Sequence, residues 1–366
     1  MNEEEQKKKE LELLRNEIDK IDDNIIDLIN ERANIVIKIG EIKKNLHLDI
    51  YQPKREKDII KRLETGSNLL KPEDIEAIWK EIIGACKVMQ GGIIKVGYLG
   101  PMGTFTHQAA LEYFPKTGTE FVPCKSILEI FDSIEKEIIE FGVIPIENSL
   151  QGTVRDTLDL LIERDLNIYG EIELRIIHNL ISLPSSDLSK IDTIYSHPQA
   201  FAQTRTWIKT NLPKSTLVNI NSTAEAVKKV KELNKDNNAA IGTEFSSKIY
   251  DAKILSSNIE DNTSNFTRFL IISKQENNLK EERLKTSLVY VTKHVPGALY
   301  GVLKIFADSD INLTKIESRP RRKGRWEYIF LMDFEGDKDT QKIKKVLNKL
   351  KDHVIWFKIL GTYPFK

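Results

Sequence analysis

Apolar residues at Leu11, Leu14, Ile18, Ile21, Ile25 and Leu28, resuming at Ile35, Ile39 and Ile42, step by three and four through the first part of the chain. That spacing is the heptad seam of one long helix. Four residues past Leu28 the seam meets Arg32, a guanidinium where the pattern asks for an apolar side chain. A charge so placed is costly unless paired, and taken alone it reads as a side chain that snorkels or meets a carboxylate across a bundle. Its neighbours add to it. Lys43 lies eleven residues on, which at about 100° per residue is about 20° from the same face. Arg55 follows in YQPKREKD, where Pro53 fits the start of a second helix. Arg15, seventeen residues before Arg32, sits about 100° round the cylinder. One straight helix cannot aim both at one point, so a partner chain is a possible source of Arg15. In EIIGACKVMQ, Cys86 and Gln90 are four apart on one helical face and can close a pocket.

Two seams, QGG at Gln90–Gly92 and KQENNLKEERLK at Lys274–Lys285, divide the 366 residues into parts spanning 1–91, 94–273 and 285–366. At roughly 100 to 200 residues per domain, two or three domains are expected. The middle part opens with the strand IIKVGYLG. It then alternates strand-like runs (FGVIPI, IDTIYS, AAIGT) with helical ones (TLDLLIERDL, STAEAVKKVKEL), which predicts an α/β domain. The last part reads strand TSLVYVT, helix GALYGVLKIFADS, strands NLTKIES and WEYIFLMDF, helix TQKIKKVLNKLKD and strand VIWFKIL. This βαββαβ order predicts a ferredoxin-like domain.

Lys plus Arg and Asp plus Glu total 55 each, and this balance argues against nucleic acid as a partner. The run RPRRKGR, Arg319–Arg325, reads as a hairpin between two strands. Two cysteines, Cys86 and Cys124, and six scattered histidines supply neither a disulfide framework nor a metal-ligand spacing. The segment MNEEEQKKKELE is too charged for a signal peptide, and no apolar run reaches the length that spans a bilayer, so a cytoplasmic protein is expected.

In the middle part, KVGYLG runs into GPMGTFTHQAALEYF, where Gly100 and Gly103 make a tight turn and Thr104 or Thr106 caps the following helix. The exposed N–H groups of that helix suit an anionic group. The glycine spacing is not that of a dinucleotide site. IPIENSLQGTV, YSHPQAFAQ, NSTAEA and SNFTRFL follow, each placing small polar side chains at a strand end or helix start, where loops of an α/β sheet gather round a ligand. Ser222 or Thr223 also reads as a plain helix cap. In SNFTRFL, Thr267 and Arg268 must point to opposite faces of a strand.

These segments carry a resemblance. Residues 8–90, with LRNEIDKIDDNIIDLINERANIVIKIGEIK, REKD and the Gln90 helix, resemble the all-α, intertwined dimeric chorismate mutases. The resemblance implies a pericyclic rearrangement of chorismate to prephenate that needs no nucleophile, metal or cofactor. It implies that Arg32, Arg55 and Arg15 of the other subunit hold the two carboxylates, that Lys43 and Gln90 donate to the ether oxygen, and that Glu56 and Cys86 complete the pocket. Gln52 stands where that family often has a carboxylate, and Cys86 where serine is common.

Residues 95–273 resemble the prephenate dehydratases, which implies two α/β lobes in a periplasmic-binding-protein-like arrangement, a cleft between them, and again no cofactor. Thr267 is then the hydrogen-bond donor that assists departure of the ring hydroxyl, and Arg268 binds or orients a carboxylate from the opposite face or edge of its strand. Thr104, Glu147, Asn148, Ser149, Thr153, Ser196, His197, Gln199 and Thr223 are expected to line the cleft. HVPGALYGVLKIFADSDINLTKIESRP resembles the ACT regulatory domains fused to such enzymes. The effector implied is phenylalanine, bound through Gly297, Ala298 and Leu299 of GAL, Asn312, and Glu317 and Ser318 of ESRP. The expectation is a bifunctional enzyme, a homodimer or homotetramer, the rivals being an arogenate dehydratase and a non-catalytic two-lobed ligand-binding protein.

Overall fold

The computed structural model describes residues 3–46, 53–90, 92–277, 283–320 and 328–365. Gln52, residues 321–325 of the basic run and the first two residues of WEYIFLMDF lie outside these. Two compact units emerge, Met1–Ile94 with Pro115–Glu120, and Lys95–Phe114 with Phe121–Lys366.

The first unit holds three helices, α1 (Glu3–Asn45), α2 (Pro53–Glu64) and α3 (Pro72–Met89). Proline opens both α2 and α3, where its missing N–H would have gone unbonded in any case. At 1.5 Å per residue α1 is about 65 Å long. Its seam residues, from Leu11 to Ile42, are all between 42% and 64% exposed, so within one chain the seam is uncovered. The helix is buried at Ala33 and Gly40. Gly40 permits close approach of the end of α3, since a Cβ there would stand 3.0 Å from Gln90 Cγ. Residues 115–120 join this unit as Glu81 accepts the backbone N–H groups of Lys116 and Thr117, each at 3.3 Å.

In the second unit, lobe one comprises β1 (Ile94–Leu99), α4 (Phe105–Tyr113), β2 (Thr119–Cys124), α5 (Ile127–Glu135), β3 (Phe141–Asn148), β4 (Gly152–Thr153), α6 (Arg155–Glu163) and β5 (Asn167–Arg175). Lobe two comprises β6 (Asn179–Ser182), β7 (Thr193–Ser196), α7 (Pro198–Gln203), α8 (Arg205–Asn211), β8 (Thr216–Asn219), α9 (Thr223–Leu233), β9 (Asn238–Gly242), α10 (Glu244–Ile249) and β10 (Lys253–Ser256). The chain then returns to lobe one with β11 (Phe266–Ser273), which inserts antiparallel between β3 and β5. Strand order is β2-β1-β3-β11-β5 in lobe one and β10-β6-β9-β7-β8 in lobe two. Both lobes therefore mix parallel pairs (β1 with β3, β7 with β8 and β9) with antiparallel ones, and two crossings of the chain connect them.

The last part forms β12 (Leu284–Thr292), α11 (Ala298–Ala307), β13 (Leu313–Pro320), β14 (Tyr328–Glu335), α12 (Gln341–His353) and β15 (Val354–Pro364). The order β13-β14-β12-β15, all antiparallel, is the ferredoxin-like one expected. Strand β12 alternates between two cores. Leu288 and Tyr290 pack with Val302 and Phe306 of α11 and Val346 and Leu350 of α12. Val289 and Val291 pack with Ile168 and Ile272 of lobe one. Burial on both faces explains why this domain clusters with the two lobes. Among the described residues no helix is long and apolar enough to cross a membrane.

Candidate active sites

In the helical unit the structure gathers Arg32, Lys43, Glu56 and Lys87. Lys87 on α3 and Glu56 on α2 form an ion pair at 2.7 Å, and both side chains are largely buried. Burial raises the Glu56 carboxyl above its ordinary value although Lys87, Lys43 and Arg32 each pull it down. Burial likewise lowers the Lys87 ammonium, with Glu56 acting against it. Arg32 Nη1 and Gln90 Oε1 are buried with no hydrogen-bond partner among the described residues. Such groups are uncommon in a folded protein. Cys86 is buried beside Lys87. Arg15 and Arg55 are exposed. Arg15 and Lys43 are on one helix, and 28 intervening steps of 1.5 Å separate them by about 42 Å, so they cannot meet within one chain. The sequence did not single out Lys87 or Gly40.

The second site is a cavity of about 900 Å³ between the two lobes. Of the residues expected there, Thr104, Asn148, Thr153, His197, Gln199, Thr223 and Thr267 line it. Thr104 caps α4, accepting from His107 N at 3.2 Å and donating to Leu99 O at 2.8 Å. Ser222 caps α9, accepting from Glu225 N at 3.1 Å. That leaves Thr223 beside the cavity without capping duty. His197 caps α7 by accepting from Gln199 N through Nδ1, and burial lowers its pKa, so the imidazole is neutral near pH 7. The first turns of α4 and α9 border the cavity from opposite lobes; that of α4 holds no acidic residue and favours an anion, whereas that of α9 carries Glu225.

Across the sheet Thr267 pairs with Asn148, and Arg268 with Glu147, so the two residues do face opposite ways. Asn148 Nδ2 lies 2.9 Å from Thr267 Oγ1, 2.8 Å from Asn265 Oδ1 and 3.1 Å from Phe266 O. Its Oδ1 accepts from Leu150 N at 3.1 Å, which fixes the amide orientation. The amide donates to Thr267, and the threonine proton is therefore available to an acceptor in the cleft.

Four expected cleft residues are elsewhere. Arg268 does not line the cavity. It turns to the other face, where its guanidinium meets Asp333 of β14 at 2.8 Å, Glu171 of β5 at 3.2 Å and Glu147 at 3.4 Å. Burial opposes that charge, but Asp333, Tyr363 and Glu171 more than offset it and hold the guanidinium above its ordinary value. Glu147 shares this face and binds Lys315 at 2.6 Å. Ser149 accepts from Phe266 N and donates to Ser264 O, tying down the entry to β11. Ser196 is fully buried and donates to Ile241 O at 2.9 Å. Asp333 has only 2% of its side chain exposed and also accepts from Ser287 Oγ at 2.6 Å. Asp333→Asn is expected to destabilise the second unit by about 2 kcal/mol, the scale of a buried charge-assisted hydrogen bond. The corresponding loss of melting temperature is about 4–8 °C. Unchanged melting measured by differential scanning calorimetry would show that the ion pairs add nothing net.

A smaller cavity of about 600 Å³ lies against Thr292–Tyr300 and includes Gly297, Ala298 and Leu299. Gly297 takes φ +80°, a left-handed conformation that favours glycine, at the start of α11. Asn312, Glu317 and Ser318 do not line it. Asn312 donates to Glu335 at 3.1 Å. Strand β13 alternates, with Lys315, Glu317 and Arg319 half-buried and Ile316 and Ser318 exposed. Glu317 accepts from the Thr153 hydroxyl, and Arg319 pairs with Asp159 of α6. The glutamate expected on an effector therefore faces lobe one instead. Among the described residues no group of three or more His, Cys, Asp or Glu side chains is placed to hold a metal ion.

Three family models match the chain, Chorismate mutase type II over residues 14–91, Prephenate dehydratase over 96–277 and ACT domain over 286–352. A bifunctional chorismate mutase/prephenate dehydratase of Aquifex aeolicus is 41% identical over 361 residues, covering 97% of this chain and 98% of its own. Among solved structures, a prephenate dehydratase in complex with L-Phe from Arthrobacter aurescens is 30% identical with a TM-score of 0.68, covering 74% of this chain and 90% of its own. GqqA, described as a novel type of quorum quenching acylase, is also 30% identical with a TM-score of 0.67, covering 74% of this chain and 98% of its own.

Proposed function

Because the chain belongs to the bifunctional chorismate mutase/prephenate dehydratases, we infer that it rearranges chorismate to prephenate and converts prephenate to phenylpyruvate, under feedback by phenylalanine. The hydrogen bond from Asn148 to Thr267 at the cleft wall is the observation that carries the second step. One fold hosts several chemistries, so the reading is argued from this site.

In the first step the breaking C–O bond builds negative charge on the ether oxygen. Lys43 and Gln90 are the donors to it, and Arg32, with its unpartnered Nη1, takes a carboxylate. Arg55 and a second copy's Arg15 supply further cations, Cys86 walls the pocket, and the Glu56–Lys87 ion pair holds α2 against α3. The exposed seam of α1 supports at least a homodimer, in which a second copy covers it. In the second step the electrons of the bond to the departing carboxylate enter the ring, carbon dioxide leaves, and the ring hydroxyl departs with a hydrogen bond from Thr267. Water forms by uptake of one proton, and aromatisation drives the reaction.

Phenylalanine is assigned to the cavity at Gly297–Leu299, with Asn312 and Ser318 reaching the effector from the facing domain of another copy. The exposed Val295, Tyr300 and Ile316 favour such a contact. Gly297→Val forces a β-branched residue to a positive φ. It is expected to raise the phenylalanine concentration for half-inhibition by about tenfold, within the usual 1–3 kcal/mol of coupling. Basal turnover should stay, and unaltered inhibition would move the effector elsewhere. Two unpaired, buried cysteines suit a reducing compartment such as the cytoplasm.

The test of the whole reading is phenylpyruvate formation from prephenate, and prephenate formation from chorismate, by the purified chain with and without phenylalanine. Arogenate is assayed alongside. Turnover of chorismate and prephenate, with the latter suppressed by phenylalanine, is expected. A faster reaction with arogenate would reassign the substrate, and no reaction with any of the three would leave a binding protein.

A further inference from the structure

A dianion must be held in the cleft, and Arg268 does not hold it. That guanidinium faces the other side of the sheet and is already met by Asp333, Glu171 and Glu147. Among the described residues lining the cavity, Lys125 and Lys228 are the side chains with a positive charge, since burial keeps His197 neutral. They come from opposite lobes. Lys125 sits between β2 and α5, where its backbone N–H donates to Glu129 at 2.5 Å and anchors the main chain. Lys228 lies on α9, past the turn that Ser222 caps, with a loose ion pair to Glu232 at 3.8 Å between two half-exposed side chains.

We propose that Lys125 and Lys228 bind the two carboxylates of the substrate, one from each lobe, and so draw the lobes together over it. The proposal rests on the dehydratase reading of this cleft. A dianion between two cations in separate lobes bridges them, and the N-terminus of α4 adds positive potential from lobe one, while Lys228 stands on the lobe-two wall that also carries Glu225.

The chemistry accounts for lysine here. One carboxylate leaves as neutral carbon dioxide, so an interaction that grips it tightly stabilises the ground state more than the transition state. A planar bidentate arginine fork would grip in that way. A lysine is a mobile point charge on a flexible stem and can hold the dianion without locking the departing group. The other carboxylate persists in the product, so its cation contributes binding that is equal in both states. The effect of either lysine should therefore appear in KM.

The test measures prephenate turnover by the full chain bearing Lys125→Glu, Lys228→Glu, or the arginine substitution at each position. Each glutamate variant is expected to raise KM by about tenfold, with kcat within about threefold of the parent. Arginine should restore KM, and added salt should shrink the difference as it screens the charges. A purely structural role would move neither the salt dependence nor the rescue. If the parent chain turns over prephenate while both glutamate variants keep its KM, this proposal alone is overturned. If the parent chain leaves prephenate unchanged, the dehydratase reading falls and takes this one with it.

Discussion

Lys43→Ala is expected to lower kcat/KM for chorismate by about 100- to 1,000-fold, the usual loss when one preorganised donor aimed at developing charge is removed. Prephenate turnover should stay within about twofold. The structure supports both halves. Lys43 belongs to the cluster with Arg32 and Glu56, in a compact unit distinct from the one that contains the cleft. Removing its charge leaves Glu56 with Lys87 at 2.7 Å, so the local ion pair survives and the variant should fold. Separate assays with chorismate and with prephenate decide the matter. An equal loss of both activities would mean that the two chemistries do not occupy separate sites.

Thr267→Ala is the reciprocal case, with kcat for prephenate expected to fall by about 100-fold while chorismate rearrangement is unaffected. The missing hydroxyl was the acceptor of one Asn148 hydrogen, but Asn265 Oδ1 and Phe266 O remain within 3.1 Å of the same nitrogen. The amide keeps partners, and the sheet pairing at this position runs through the backbone. Thr267→Ser restores the hydroxyl and should recover most of the rate. Near-normal turnover in the alanine variant would remove Thr267 from its role. A loss that serine fails to repair would point to packing of the threonine methyl group.

Much of this architecture is legible in local pattern. The seam of α1 shows by its three-and-four spacing, the ferredoxin-like order by six runs in sequence, and the opposite orientation of Thr267 and Arg268 by the twofold alternation of a strand. What alternation cannot say is which face looks where. The resemblance has Arg268 bind or orient a carboxylate from the opposite face or edge of its strand, but on that face Asp333 of β14, a strand more than sixty residues later, takes the guanidinium. Glu147 follows Arg268 because the two are cross-strand neighbours. Glu317 errs for the same reason, since alternation on β13 sends Glu317 toward lobe one and Ser318 outward. Ser196 ends a central strand and is spent on the next one. A lone lysine in ACKVM carries no local sign that Glu56 lies beside Lys87. Lys125 and Lys228 look like any exposed lysine in the sequence, and only the folded cleft sets them on its wall. Each miss is a contact between residues far apart in sequence.

The distance along α1 between Arg15 and Lys43 has a genetic consequence. On the proposed sharing of Arg15 between copies, a mutase site would be assembled from two chains, and two crippled alleles would repair each other. Chains carrying Arg15→Ala and chains carrying Lys43→Ala are then each expected to be inactive as pure populations. Mixed pairs hold one site with both lesions and one with neither, and the second is sound. Co-expression of the two alleles should therefore restore growth that neither supports alone, whereas two lesions confined to the Lys43 cluster, such as Lys43→Ala and Gln90→Ala, should fail to complement.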